Sequence, residues 1–334
     1  MNKRRQFLRE RIAISYPING KRTEEVIHLL SFRYRLLAWT SFIGMFIVML
    51  AGALVTKTGS GRGCGDDWPL CNGKFIPAYT LESMIEYSHR MVTGVVGVLV
   101  LMTFLYTWRY LRQFQEALWY AGGTLLFTIV QALMGAAAVK WPQQPAVMAF
   151  HFGISLLAVS SSMLLVVWIY RIKKEVEHAP FVQISKLIYP MAWGIWFYCY
   201  GVVYLGAFIR HTVADGGCMG WPLCNGQLIP YMSGASGIVF THRVAAAILL
   251  ILIAALYVLV RRGKSKGQTS ELRTATAYAL VLVIGQIFSG GLLTTTISNE
   301  NVYLFTSLLH NVMATALFGV LTDTAIHSWK HRML

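Results

Sequence analysis

The chain has 334 residues, of which 56% are hydrophobic and only 13% are charged. About a quarter of the residues in an average soluble domain are charged, so the composition excludes an ordinary soluble protein and predicts one that is solvated by lipid. A formal net charge of +15 is also typical of proteins that bind nucleic acid. The placement of the basic residues decides between this explanation and a membrane topology signal.

Eight uncharged segments follow one another along the chain, each close to the roughly 20 residues that a helix needs to cross the hydrocarbon core. In chain order they are Leu36–Val55, Met91–Trp108, Leu118–Val139, Ala146–Tyr170, Leu187–Ile209, Val244–Val260, Thr274–Ser298 and Val302–Thr322. Lipid offers the backbone no hydrogen-bond partners, so such segments are expected to be helical. The sequence predicts an all-α integral membrane protein with eight transmembrane helices in the lipid bilayer.

Basic residues are concentrated on one side of the predicted membrane. The N-terminal segment, the connections after the even-numbered helices and the C-terminus hold 22 of the 29 Lys and Arg residues. This positive-inside bias predicts that both termini are cytoplasmic and that the chain lies in a bacterial cytoplasmic membrane. The positive charge is thus a topology signal, and no nucleic-acid partner is expected.

The two halves of the chain repeat each other. The matched segments are Gly52-Ala53 with Gly206-Ala207, Trp68–Gly73 with Trp221–Gly226, His89-Arg90 with His242-Arg243, and His151 with His310. The correspondence spans four helices in each half, so both copies enter the membrane from the same side. We therefore predict two tandem four-helix bundles related by a pseudo-two-fold axis along the membrane normal.

The repeat also predicts how the chain is divided. A basic cytoplasmic segment precedes the first bundle, a cytoplasmic linker joins the bundles, and a short cytoplasmic tail ends the chain. The expected ranges are 1–35 for the segment, 36–171 for the N-terminal bundle, 172–186 for the linker, 187–326 for the C-terminal bundle and 327–334 for the tail.

Each half carries two cysteines in the hydrophilic loop between its first two helices. The pairs are Cys64 with Cys71 and Cys218 with Cys224, and the topology places both on the outer, oxidising side. Two short disulfides are predicted there, with thiols that exchange with a partner as an alternative for the first pair. Neither loop supplies enough further ligands for a metal site.

Four histidines lie at equivalent places, near the outer ends of the even-numbered helices: His89, His151, His242 and His310. One histidine inside a membrane bundle is often only a hydrogen-bonding residue, but four in one leaflet indicate a function. Histidine pairs on facing helices bind haem iron from both sides, whereas zinc requires three or four ligands around one point. The pattern predicts one haem in each bundle and argues against an electron relay across the membrane.

Glu86 is the informative difference between the halves, because Val239 occupies its place in the second copy. The glutamate precedes His89 by three residues and therefore shares its helix face. A buried carboxylate beside a haem ligand is a candidate for proton transfer. The alternative is a solvent-facing glutamate in the first turn of a helix capped by Thr80.

Four basic residues flank the level of the histidines: Lys57, Arg90, Arg210 and Arg243. They are candidates for neutralising the haem propionates, and equally for extending to the lipid headgroups. Gln131 and Gln286, each four residues before a glycine, are interpreted as helix-packing residues.

Several motifs together resemble the haem A synthase family: Ala51–Gly61 (AGALVTKTGSG), the loop Cys64–Cys71, Glu86–Arg90 (EYSHR) and the later histidines. The similarity extends from the first predicted helix to the eighth. It implies an enzyme, an oxidoreductase acting on a CH group, that oxidises a ring methyl group of haem O to a formyl group by successive hydroxylations. The product, haem A, serves terminal oxidases.

The resemblance also implies roles for the candidate residues. His89 and His151 would flank the substrate haem O, with Glu86 as the catalytic residue that assists proton movement or stabilises positive charge. A resident haem b would be bound by His242 and His310. The Cys64–Cys71 disulfide would take part in haem transfer or redox input. Haem O synthase is the implied upstream partner. An electron-transfer partner of unknown identity is also implied, and a homo-oligomer is a further candidate assembly.

The competing interpretation is a protein that binds haem without altering it, either a membrane cytochrome b or a haem carrier. It predicts two permanently bound, chemically unaltered haems, and it predicts that replacement of Glu86 has no effect on them. The enzyme interpretation predicts an exchangeable site in the first bundle and accumulation of haem O when Glu86 is replaced.

Overall fold

The computed structural model describes residues 31–76, 79–141, 144–177, 185–263 and 270–330. Most of the basic N-terminal segment predicted at 1–35 lies outside these ranges, as do parts of the predicted linker and tail. The described residues form eight long helices and one short 3-10 turn at Asp215–Gly217. The helices are α1 Phe32–Lys57, α2 Leu81–Tyr110, α3 Gln115–Lys140, α4 Pro145–Glu177, α5 Ile188–His211, α6 Gly234–Arg262, α7 Ser270–Thr295 and α8 Glu300–Lys330.

All eight helices are long and apolar enough to cross a membrane. This confirms the predicted all-α integral membrane fold with eight spans. Large apolar side chains point outward along the helices, for example Trp119 and Phe197, whose exposed fractions are 75% and 64%. Such exposure suits a protein whose outer surface faces lipid.

Helices α2 and α6 begin ten residues before the uncharged segments that predicted them. Each predicted segment started after an arginine, Arg90 or Arg243, which the structure places inside the helix. These arginines donate hydrogen bonds to loop carbonyls, so their charge does not end the helix. Thr80 caps α2 as expected, its Oγ1 accepting a hydrogen bond of 3.3 Å from the backbone N–H of Ser83.

Each half of the chain forms a ring of contacting helices. In the first half α1 packs on α2, α2 on α3, α3 on α4, and α4 back on α1; the second half repeats this order from α5 to α8. The halves meet where α4 contacts α5 and α8, and where α1 contacts α8. The contacts agree with two tandem bundles, while the pseudo-two-fold axis and the exact domain boundaries stay predictions.

The end of the molecule at which α1 ends and α2 begins carries both cysteine loops, and we call it the loop end. The opposite end of the first half is densely packed around Tyr34, Leu111, Phe114 and Trp168. The hydroxyl of Tyr34 lies 2.9 Å from Oγ1 of Thr107 within this cluster. Because this packing fills the far end, the open space of the first half lies toward the loop end.

Polar contacts join the halves at both ends. At the packed end, Arg171 of α4 donates to both oxygens of Asp323 on α8, at 2.5 and 2.7 Å. At the loop end, Nη2 of Arg210 on α5 donates to the carbonyls of Thr56 and Lys57 on α1, at 2.9 and 3.3 Å. These contacts fix the end of α5 against the first half.

Candidate functional site

A cavity of about 1260 Å³ occupies the first half between α1, α2, α3 and α4. Its deeper wall is apolar and includes Met49, Leu101 and Leu125, whereas its rim at the loop end is polar. Leu101 follows His89 by twelve residues, so the two lie about 18 Å apart along the helix axis. The cavity is therefore deep, with an apolar interior and a charged mouth. The charged residues and the histidine of the rim are Arg62, Glu86, Arg90, Arg210 and His211.

His89 and His151, predicted as a pair, both line this cavity. Nδ1 of each ring is buried without a hydrogen-bond partner among the described residues, although a buried imidazole nitrogen is normally paired. A Cβ atom added to Gly52 of α1 would lie 3.3 Å from Cε1 of His89, so the glycine admits the imidazole ring. Two imidazoles on facing helices and their unpaired nitrogens suit the binding of a metalloporphyrin.

Gln131 of α3 fixes the helix that carries His151. Its Nε2 donates a hydrogen bond of 2.6 Å to the backbone carbonyl of His151. The residue thus acts between helices, as the sequence interpretation held, and it also lines the cavity.

The second histidine pair lies in a closer-packed setting, and neither His242 nor His310 lines the cavity of the first half. A Cβ atom on Gly206 of α5 would lie 2.9 Å from Cε1 of His242, and one on Gly290 of α7 would lie 3.2 Å from Cε1 of His310. Glycine therefore allows both rings to approach neighbouring helices. In the first half Gly135, the counterpart of Gly290, faces open space.

Both ring nitrogens of His310 have polar neighbours. Nε2 lies 3.0 Å from Nε2 of Gln286, and Nδ1 lies 2.9 Å from Oγ of Ser289. Nδ1 of His242, by contrast, is buried without a partner in the described part of the chain. The pair fits haem ligation by its chemistry, and an iron bound at Nε2 of His310 would have to take the place of the Gln286 amide. The sequence interpretation missed these contacts, although Ser289 lies three residues after Gln286.

Glu86 is buried, with an exposed fraction of 4%, and lines the cavity. The backbone N–H of Cys64 donates to its Oε2 at 2.8 Å, and Nη2 of Arg90 donates to its Oε1 at 2.5 Å. The charge is thus compensated inside the protein. Its counterpart Val239 packs in an apolar cluster with Cys218 and Cys224. The solvent-facing alternative for Glu86 is excluded by this burial.

Arg90 and Arg243 each bind the cysteine loop of their own half. Nη1 of Arg90 donates to the carbonyls of Asp67 and Leu70, both at 2.7 Å. Arg243 donates to the carbonyls of Cys218, Gly220 and Leu223, at 2.9 to 3.0 Å. Both arginines thus bind the loop of their own half, and their predicted propionate contacts stay predictions.

Lys57 and Arg210 meet at the boundary between the halves. Nζ of Lys57 lies 3.1 Å from the hydroxyl of Tyr303 on α8 and 4.4 Å from the centre of its ring. Nη1 of Arg210 lies 3.5 Å from Oδ2 of Asp215, which accepts a hydrogen bond from Tyr303. These two predicted propionate contacts are therefore also engaged within the protein.

Both predicted disulfides are confirmed. Cys64 is bonded to Cys71 and Cys218 to Cys224, with Cα–Cα distances of 4.3 and 4.7 Å. Cys199, the fifth cysteine, is buried and free.

An Asn-Gly turn follows each disulfide. Cys71 and Lys74 exchange backbone hydrogen bonds of 2.9 and 3.1 Å around Asn72 and Gly73, whose φ angles are 50° and 72°. Two central residues with positive φ are typical of a type I′ turn, which favours Asn-Gly. Asn225 and Gly226, with φ angles of 54° and 77°, form the same turn between Cys224 and Gln227 in the second half.

The fold and this site define a class: an eight-span membrane protein of two similar halves, with imidazoles and one carboxylate facing an internal cavity. The sequence matches the COX15-CtaA family, described as cytochrome oxidase assembly protein, over residues 35–322. The chain belongs to this family.

Similar curated proteins carry the name heme A synthase. The protein from Alkalihalophilus pseudofirmus is 37% identical over 292 residues, which cover 87% of this chain and 95% of that protein. The protein from Geobacillus kaustophilus is 38% identical and covers 84% of this chain and 86% of its own length. The protein from Halalkalibacterium halodurans is 40% identical, with coverages of 84% and 91%.

Proposed function

We propose that this protein is a haem A synthase, an oxidoreductase that converts a ring methyl group of haem O into a formyl group by successive hydroxylations. The observation that carries the proposal is the cavity of about 1260 Å³ lined by His89, His151 and Glu86. Membership of the COX15-CtaA family and relatives named heme A synthase support the same function. The proposed substrate domain is the N-terminal bundle, residues 36–171.

In the proposed binding mode, His89 and His151 hold the substrate macrocycle between α2 and α4. The apolar deep wall accepts the apolar substituents of haem O and excludes water from them. Gly52 provides space for the His89 ring, and Gln131 fixes the backbone at His151. The residues around each imidazole thus orient the substrate.

Glu86 is the proposed catalytic residue. Its carboxylate faces the cavity while Cys64 and Arg90 fix both of its oxygens. A fixed negative charge beside the substrate stabilises positive charge that develops there, and the same carboxylate can accept a proton at Oε1 or Oε2. Val239 provides neither function in the second half.

The C-terminal bundle, residues 187–326, is proposed to bind haem b through His242 and His310. Bound haem b supplies one-electron redox chemistry. The surrounding residues control the orientation of these ligands: Gly206 admits the His242 ring, and Ser289 lies at Nδ1 of His310. Such outer contacts set the tautomer of an iron-bound histidine.

The proposed orientation follows the positive-inside bias, with both termini in the cytoplasm and the loop end outside. The cavity mouth and both disulfides then lie at the outer surface. Haem O synthase is the proposed source of the substrate. The remaining ranges of the proposed division are the basic segment 1–35, the linker 172–186 and the tail 327–334.

The test is production of the protein together with haem O synthase in a host that makes no haem A, followed by chromatography of the extracted haems. Haem A or a hydroxylated haem O is expected with the unaltered protein. Haem O should accumulate with Glu86→Ala. Val239→Ala is the matched control, because it truncates the equivalent residue of the second half, and it should leave conversion intact.

The competing cytochrome interpretation predicts a different result. Extraction of haem B alone, or of unaltered haem O from both the original protein and Glu86→Ala, would contradict the synthase proposal.

A further inference from the structure

The cavity rim carries three arginines and one histidine: Arg62, Arg90, Arg210 and His211. Arg90 is engaged with Glu86 and two loop carbonyls. Arg210 is engaged with two carbonyls of α1 and with Asp215. A substrate anion would have to displace these contacts, and at Arg90 it would also approach the negative charge of Glu86.

The other two, Arg62 and His211, line the cavity without a hydrogen bond or ion pair from their side chains in the described ranges. Arg62 is exposed in the loop after α1, and His211 is the half-buried last residue of α5. Their donors are therefore available to a bound molecule. Guanidinium matches the planar geometry of a carboxylate, and an imidazole N–H adds one further hydrogen bond.

His211 belongs to the second half of the chain although it lines the cavity of the first. Its repeat counterpart is Lys57, as Gly52 is the counterpart of Gly206 in the same register. Lys57 in turn reaches Tyr303 of the second half. The last turns of α1 and α5 thus each contribute a basic residue to the opposite half.

We propose that Arg62 and His211 form a carboxylate-binding site at the rim of the first cavity, completed by the second half of the chain. The inference rests on the proposed function, in which the ligand is a porphyrin with carboxylate side chains along one edge. That edge binds at Arg62 and His211, and the apolar substituents extend past His89 toward Leu101. In this proposal Arg62 and His211 bind the carboxylates in the first half, a role that the sequence analysis gave to Arg90 and Arg210.

The experiment compares two probes, haem O and its dimethyl ester, which lacks the negative charges. Each is titrated into the purified full-length protein in detergent, and binding is followed by the visible absorption of the haem. The original protein should bind the acid at least about tenfold more tightly than the ester, the range expected for charge-assisted hydrogen bonds. The Arg62→Ala/His211→Ala double variant should lose this preference while its affinity for the ester stays unchanged.

Two further variants separate the charge effect from misfolding. Lys74→Ala removes a cation from the same loop that does not line the cavity, and it should keep the preference. Arg62→Lys retains the charge and should keep most of it. All variants should show the same thermal unfolding temperature as the original protein.

An unchanged preference in the double variant would overturn the proposal while leaving the synthase function intact. Equal loss of acid and ester binding with a shifted absorption band in His211→Ala would also overturn it, because His211 would then be an iron ligand. Absence of saturable binding of either probe to the original protein would contradict the proposed function itself and, with it, this site.

Discussion

The backbone N–H of Cys64 lies 2.8 Å from Oε2 of Glu86, so a disulfide-bonded residue directly contacts the carboxylate that faces the cavity. The second half keeps the disulfide but has Val239 in place of the glutamate. The first loop thus has a role that the second lacks: it holds a charged group of the site. The two halves therefore serve as controls for each other.

Removal of the first disulfide should impair the reaction as well as stability. In Cys64→Ser/Cys71→Ser the loop is no longer closed, and the Cys64 N–H loses its fixed position at Glu86. We expect conversion of haem O, measured by chromatography, to fall about tenfold or more, since a hydrogen bond to a charged group contributes about 1.5–3 kcal/mol. The free energy of unfolding should fall by about 2–4 kcal/mol.

Cys218→Ser/Cys224→Ser is the matched control for that experiment. It should lower the free energy of unfolding by a similar amount without a tenfold loss of conversion per folded molecule. Equal losses of conversion in both double variants would show that the contact between Cys64 and Glu86 does not matter for the reaction.

Arg90 should be a positioning residue for Glu86, while Arg243 should act only on its loop. Arg90→Ala leaves a buried carboxylate without its cation, and we expect at least about a tenfold fall in kcat for haem O. Arg90→Lys should restore part of the activity because it keeps the charge but loses the simultaneous contacts of the guanidinium with the loop. A purely structural role would instead give Arg90→Ala, like the control Arg243→Ala, the same kcat per folded molecule as the original protein.

Hydropathy and the repeat predicted the fold because each spanning helix consists of a long uncharged segment. The same criterion misplaced the starts of α2 and α6, since Arg90 and Arg243 lie within the helices and bind loop carbonyls. The order of helices and loops in the sequence cannot show that an arginine side chain forms hydrogen bonds with carbonyls of a nearby loop. That information depends on how each loop folds back over the following helix.

The candidate site was predicted in part. His89, His151 and Glu86 were found from the repeat and from its one informative difference, and the structure places all three at one cavity. His211 and Arg62 were missed because the sequence was divided into independent halves. Contacts between the halves depend on the tilt and packing of helices, which the pattern of apolar residues does not specify.

Gly206 is expected to set the position of the His242 ring. A Cβ atom there would lie 2.9 Å from Cε1 of the ring, so Gly206→Ala should displace the imidazole. The optical and paramagnetic resonance spectra of the haem proposed for the second half should change as a result. Gly201→Ala on the same helix is the control, because no atom lies within 4 Å of the added group. Gly52→Ala, at 3.3 Å from His89, should have a milder effect in the first half. Identical spectra for Gly201→Ala and Gly206→Ala would refute this assignment.

The ion pair between Arg171 and Asp323 should stabilise the packing of the two halves at the end remote from the cavity. Arg171→Met removes the bidentate partner of Asp323 and also the guanidinium whose Nε lies 3.5 Å from Oε2 of Glu271. Breaking a fully buried pair from one side costs about 3–5 kcal/mol. The Arg171 side chain is 24% exposed, so we expect a smaller loss, seen as a lower unfolding temperature in detergent.

Asp323→Leu should destabilise less than Arg171→Met, because Arg171 keeps Glu271 as a neighbour. Arg171→Met/Asp323→Leu should recover part of the loss of Arg171→Met because apolar residues then face each other. Conversion of haem O per folded molecule should be unchanged in all three variants, since neither residue lines the cavity. Additive destabilisation in the double variant would mean that the two side chains are not energetically coupled. The halves would then be joined mainly by the apolar contacts of α4 with α5 and α8.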